Sequence, residues 1–144
     1  MLELKDFDLG LIADAMQDDG FMGVTYYLNI EDGSIHFYGY DDDSEVDLED
    51  EKFVEIAQLE SYEGYRHMED FTRALPEGGA KAKLEQALIR SKPFRYFKDA
   101  LGGFEDEGYA WVRFKDAAME SVVITWLVEI RAIEDPDQHA GEEA

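Results

Sequence analysis

An Asp-Gly pair between two runs of alternating apolar and polar residues constrains this chain more than any other feature. The runs are Val24-Thr-Tyr-Tyr-Leu-Asn-Ile30 and Ile35-His-Phe-Tyr-Gly-Tyr40, with Asp32-Gly33 between them. A two-residue hairpin loop needs positive φ at its central positions, which Asp and Gly tolerate. The pair therefore predicts an antiparallel hairpin over residues 24–40. With Asp32-Gly33 as the loop, Ile30 faces Ile35, Leu28 faces Phe37 and Tyr26 faces Gly39 on the expected core side. Asn29 with His36 and Tyr27 with Tyr38 form the other side, with Tyr40 beyond. That side carries no charged residue, so it is expected to be covered or to meet a partner. Tyr27, His36, Tyr38 and Tyr40 are the candidate partner-contact residues.

Helical periods flank the hairpin. Leu9, Ile12, Ala13 and Met16 recur as on one face of a helix near Asp8–Gln17. A short strand is expected near 53–57. Ser61 is a candidate N-cap for a helix carrying Tyr65, Met68 and Leu75 and ending before Pro76. Leu84, Ala87 and Leu88 mark a second helix. Pro93 suits the first turn of a third, with Phe94, Phe97 and Leu101 on one side. Trp111, Phe114, Ala118, Val122, Trp126, Ile130 and Ile133 mark a long last helix. Strands in one block and helices in another predict an α+β fold, a small antiparallel sheet with helices packed on it. At 144 residues a single domain is expected over 1–133, followed by a frayed acidic tail at 134–144.

Charge is the second constraint. Thirteen basic against 35 acidic residues give a net of −22. Residues 1–60 hold −16, residues 61–115 hold +1 and residues 116–144 hold −7. Lys81, Lys83, Arg90, Lys92, Arg95 and Lys98 form a basic island in an acidic protein. The overall charge opposes contact with nucleic acid and anionic membranes and favours basic proteins or self-association. The segment 41–51, DDDSEVDLEDE, is expected to be a solvated loop. Its Val46 and Lys52 stand where a calcium loop needs Gly and Glu, so no metal site is expected there.

The absence of cysteine rules out a disulfide framework or thiolate chemistry. His36, His67 and His139 have no zinc-site spacing. No phosphate-binding or dinucleotide fingerprint appears, so no cofactor is expected. No signal peptide or membrane-length apolar run is visible, and the expected location is the cytoplasm.

Several segments resemble a known family. Tyr26-Tyr-Leu with Asp32-Gly33, Tyr65-Arg-His-Met68-Glu-Asp-Phe71, Pro93-Phe94-Arg95-Tyr96-Phe97-Lys98-Asp99-Ala100-Leu101, and Trp111-Val-Arg-Phe114 with Trp126-Leu127 are similar to the bacterial uncharacterised protein family 0158 over roughly residues 20–130. Where this chain has Ser91-Lys92-Pro93-Phe94-Arg95, many relatives carry Gly-Lys-Gly-Ala-Phe-Arg. The proline fixes a helix start that glycine would loosen. The resemblance implies the fold boundaries and no activity.

Phe94-x-x-Phe97-Lys98-Asp99-Ala100 and Trp111-x-x-Phe114-Lys115-Asp116-Ala117 echo each other. Aromatics at i and i+3 are the usual mark of two packed helices. The alternative is a ligand site in which Arg95, Lys98, Arg113 and Lys115 surround an aromatic floor containing Trp111. No catalytic set assembles in the sequence. The expected function is a non-enzymatic protein-interaction module with a charge-polarised surface. The alternatives are nucleotide or nucleic-acid binding through 94–115, or an acidic decoy of basic nucleic-acid-binding proteins.

Overall fold

The structure, a computed structural model, describes residues 1–18, 23–38 and 49–134. Its fold class is α+β, with an N-terminal helix, a three-stranded antiparallel sheet and four further helices. The chain divides into two compact units, residues 1–58 with 119–144, and residues 59–118. The first holds three basic and 24 acidic residues, a net of −21, and the second holds 10 and 11, a net of −1. Almost all of the chain's net charge therefore lies in the first unit.

That first unit opens with a 3-10 turn at Leu4–Asp6 and helix α1 at Leu9–Gln17. Asp8 caps α1, its carboxylate accepting from the Leu11 N–H at 3.0 Å. Ile12, Ala13, Ala15 and Met16 are buried along one side of α1. Strands β1 (Thr25–Asn29), β2 (Ile35–Tyr38) and β3 (Phe53–Glu55) pair in the order β2-β1-β3, both pairs antiparallel.

The hairpin is present, but its register differs by two residues from the expected one. Leu28 faces Ile35, Tyr26 faces Phe37 and Tyr27 faces His36. The cause is Asn29. Its side-chain oxygen accepts from the N–H groups of Glu31 at 2.9 Å and Asp32 at 3.3 Å, while its backbone carbonyl accepts from Gly33 at 2.8 Å. The side chain thus folds a four-residue loop over Ile30–Gly33, where the Asp-Gly signal predicted two. A slip of two keeps every side chain on its expected side of the sheet. Leu28 is buried as expected, but Phe37 moves toward the open end of the hairpin and is 63% exposed. Gly33 has φ +80°, and a Cβ there would lie 2.5 Å from the Asp6 carbonyl oxygen, so the turn requires glycine. Gly39, Tyr40, the acidic run at 41–48 and the tail from 135 lie outside the described residues.

The second unit comprises α2 (Ser61–Ala74), α3 (Gly79–Leu88), α4 (Pro93–Leu101) and the first part of α5 (Glu105–Glu129). Ser61 is the first helical residue of α2, and Glu60 occupies the cap position without a side-chain cap. Pro93 stands in the first turn of α4, as expected. Met68, Phe71, Leu84, Ala87, Leu88, Phe97 and Leu101 form the core. Each large side chain so buried contributes roughly 1.5–3 kcal/mol. Gly64 lets α4 approach α2, since a Cβ there would lie 3.2 Å from the Phe94 ring.

Helix α5 ends in the first unit, where Met119, Val123, Trp126 and Leu127 are buried. The expected stripe ran on to Ile130 and Ile133, but the helix stops at Glu129. Ala132 N–H bonds to the Leu127 carbonyl at 2.9 Å and Arg131 N–H to the Val128 carbonyl at 3.0 Å, with Arg131 at φ 62°. This is a left-handed helix stop built on arginine where glycine is usual. No described helix is long and apolar enough to cross a membrane.

Candidate functional site

The candidate partner-contact residues lie on the hairpin. Tyr27 and His36 are direct partners across β1 and β2 and are half-buried. The His36 ring meets Phe53 edge to face at 5.3 Å. Ser34 links the Asp32 carboxylate to His36, with Oγ 2.6 Å from Asp32 Oδ1 and 2.9 Å from His36 Nε2. The Ser34 hydroxyl proton goes to Asp32, so the imidazole donates to the serine oxygen. That is a turn contact, not a serine activated by a base. That hydroxyl bond, followed by one from the Ser34 backbone N–H, holds the Asp32 carboxyl below its ordinary pKa. Tyr38 is 51% exposed, and Tyr40 lies outside the described residues. Phe37 and Tyr38 point to opposite sides of the sheet, so β2 shows an aromatic on each side. As an outer strand, β2 also has one row of backbone groups that no strand among the described residues takes up.

The candidate ligand residues of the second unit separate into three groups. Trp111 packs into the core, its ring 5.0 Å from Phe97, 5.4 Å from Phe71 and 6.1 Å from Phe114. Those rings fill one another's contacts. Arg95, Lys98 and Arg113 are exposed and join no ion pair among the described residues. Lys115 is drawn into a contact that its position in the sequence did not reveal. Its ammonium lies 2.9 Å from His67 Nδ1 on α2 and 6.0 Å from the centre of the Trp111 ring. Burial lowers the Lys115 pKa. Burial first, and then the Lys115 charge, lower that of His67, with Asp70 and Glu63 acting the other way.

The basic island is only partly used. Lys81 is largely buried and reaches Glu77 at 3.1 Å, and Arg90 stacks on Tyr96 at 3.8 Å. A groove of about 500 Å³ runs over α2 and α3, edged by Glu69, Arg73, Lys81, Glu85 and Ile89. Among the described residues no cluster of three His, Asp or Glu is placed to hold a metal.

Comparisons with known proteins agree with the resemblance drawn from the motifs. A UPF0158 protein of Pseudomonas aeruginosa is 28% identical over 110 residues, covering 73% of this chain and 72% of its own length. No solved structure matches the chain. The profile of the Uncharacterised protein family (UPF0158) matches residues 9–135, and the chain belongs to that family.

Proposed function

We propose that the chain is a cytoplasmic protein-interaction module in which the edge of β2 receives an extended, basic segment of a partner protein. The observation that carries this reading is the pair Phe37 and Tyr38, 63% and 51% exposed on an outer strand. An added strand takes backbone hydrogen bonds from a free edge and side-chain contacts from aromatics on each side. The charge of the unit selects the partner. A net of −21 attracts basic segments at long range and repels acidic ones. An acidic decoy of nucleic-acid-binding proteins would be one use of such a surface.

A second reading, nucleotide binding on α4, is favoured by Phe94, 48% exposed beside Arg95 and Lys98, which have no ion-pair partner among the described residues. Trp111, committed to the core, adds no stacking surface to it.

A labelled peptide of alternating Lys and Val tests the first reading by fluorescence anisotropy. Binding is expected at low salt and weakened at high salt, where charges are screened beyond about 3 Å at 1 M. The double variant Phe37→Asp, Tyr38→Asp adds negative charge, so attraction by charge alone would strengthen. On the proposed reading this variant loses the peptide. Retained or tighter binding by the variant would overturn it.

A further inference from the structure

We propose that Lys115 is a nucleophilic amine that captures small, neutral carbonyl compounds covalently, with the His67 imidazole as the base that takes its proton. This site lies in the second unit and goes beyond the partner contact assigned to β2.

The argument starts from what surrounds the amine. Lys115 stands 48 positions from His67, and the fold brings Nζ within 2.9 Å of Nδ1. An ammonium only donates, so Nδ1 accepts and the imidazole is neutral, with its proton on Nε2. Among the described residues no carboxylate lies within ion-pair distance of Lys115. Its ammonium lies 6.0 Å from the centre of the Trp111 ring, and Lys115 and His67 are both half-buried. A lysine with a partly desolvated head and no counter-ion gives up its proton more readily than a solvated one. Burial lowers the Lys115 pKa even though the chain's net charge of −22 pulls every lysine the other way. The groups facing His67 are Lys115 from α5 and Asp70 and Glu63 from α2, and burial is the largest influence on it. An amine already hydrogen-bonded to an unprotonated imidazole nitrogen has its base in place.

The ligand class follows from charge. A net of −22 opposes anionic substrates at long range, whereas an uncharged aldehyde or ketone is not repelled. In the reaction His67 Nδ1 takes a proton from Nζ, and the freed lone pair attacks the carbonyl carbon. The C–N bond forms as the carbonyl π pair moves to oxygen, which takes up a proton from His67. The resulting carbinolamine, whose nitrogen still carries two protons and the positive charge, loses water to give a protonated imine. Ammonium and carbonyl become protonated imine and water, with His67 neutral again and no change of oxidation state.

Reductive methylation tests the assignment. The folded chain is treated at pH 7 with formaldehyde, and cyanoborohydride traps each imine. Peptide mass mapping then gives a rate for each of the seven lysines. Lys115 is expected to react about tenfold faster than the exposed Lys83, Lys92 and Lys98. His67→Gln is expected to slow Lys115 by about tenfold or more and to leave the other lysines unchanged. In the unaltered chain the Lys115 rate should also rise at lower pH than that of Lys98, a readout that needs no substitution. Lys115 reacting no faster than the exposed lysines would overturn the proposal, and so would a rate indifferent to His67→Gln.

Discussion

The two units solve the same problem, a small apolar core, in different ways. In the helical unit, rings meet rings. Trp111 meets Phe71, Phe97 and Phe114, and Phe71 meets Phe114, at 5.0 to 6.1 Å, beside a core that includes Leu and Met. In the sheet unit the conspicuous devices are backbone devices: the Asn29 turn, Gly33 at φ +80° against Asp6, and Arg131 at φ 62° ending α5. The sheet unit also holds nearly all of the net charge. The difference teaches where variation is tolerated. Side-chain volume should dominate in one unit and backbone conformation in the other.

The sharpest way to break that contrast is Phe97→Ala. Removing a ring that is 2% exposed should cost about 3–5 kcal/mol, read by urea denaturation. A loss below about 1 kcal/mol would mean that ring packing does not hold the helical unit. Next comes Gly33→Ala, which adds a Cβ at 2.5 Å from a backbone oxygen and at positive φ. A cost of about 1–3 kcal/mol is expected, and unchanged stability would refute a turn that needs glycine. Arg131→Gly runs the other way. Relieving a left-handed non-glycine residue should stabilise by up to about 1 kcal/mol, visible as a raised melting midpoint.

A smaller effect concerns pH. The folded His67 has a lowered pKa, so the unfolded chain binds more protons as the pH falls below the ordinary imidazole value of 6.5. The stability from this group is therefore fully present above 6.5 and is lost on acidification toward the lowered value. Lys115→Met should retain more of it, though not all, because burial is the larger cause. At neutral pH the same variant should melt slightly higher, since it removes a half-buried ammonium with no counter-ion among the described residues. Equal pH profiles for the two proteins would contradict the pairing. Smallest of all, Phe37→Asp should change stability by no more than about 0.5 kcal/mol, because the ring is 63% exposed.

Much of the fold was legible in the sequence because it rests on period and punctuation. The alternating runs showed the hairpin, and Pro93 marked the start of α4. The register was not legible, because a side-chain turn at Asn29 competed with the stronger Asp-Gly signal. The end of α5 was hidden for a similar reason, since Arg131 takes a conformation usually announced by glycine. The candidate site was less legible than the fold. Aromatics at i and i+3 pointed to packing, and Trp111 is packed. No local pattern reports that His67 and Lys115 meet across 48 residues, because only the packing of α2 and α5 brings them together. Exposure of Phe37 followed from the register and was hidden with it.

The proposed division of labour, in which an acidic sheet unit meets the partner and a near-neutral helical unit does not, is tested most directly by an amide-resolved NMR titration. The ¹⁵N-labelled chain is titrated with the alternating Lys–Val peptide at low salt. The largest shifts are predicted at Ile35–Tyr38, with α2 to α4 unmoved and the response fading as salt is added. Shifts concentrated on α4, or spread evenly over acidic residues with β2 silent, would contradict the account.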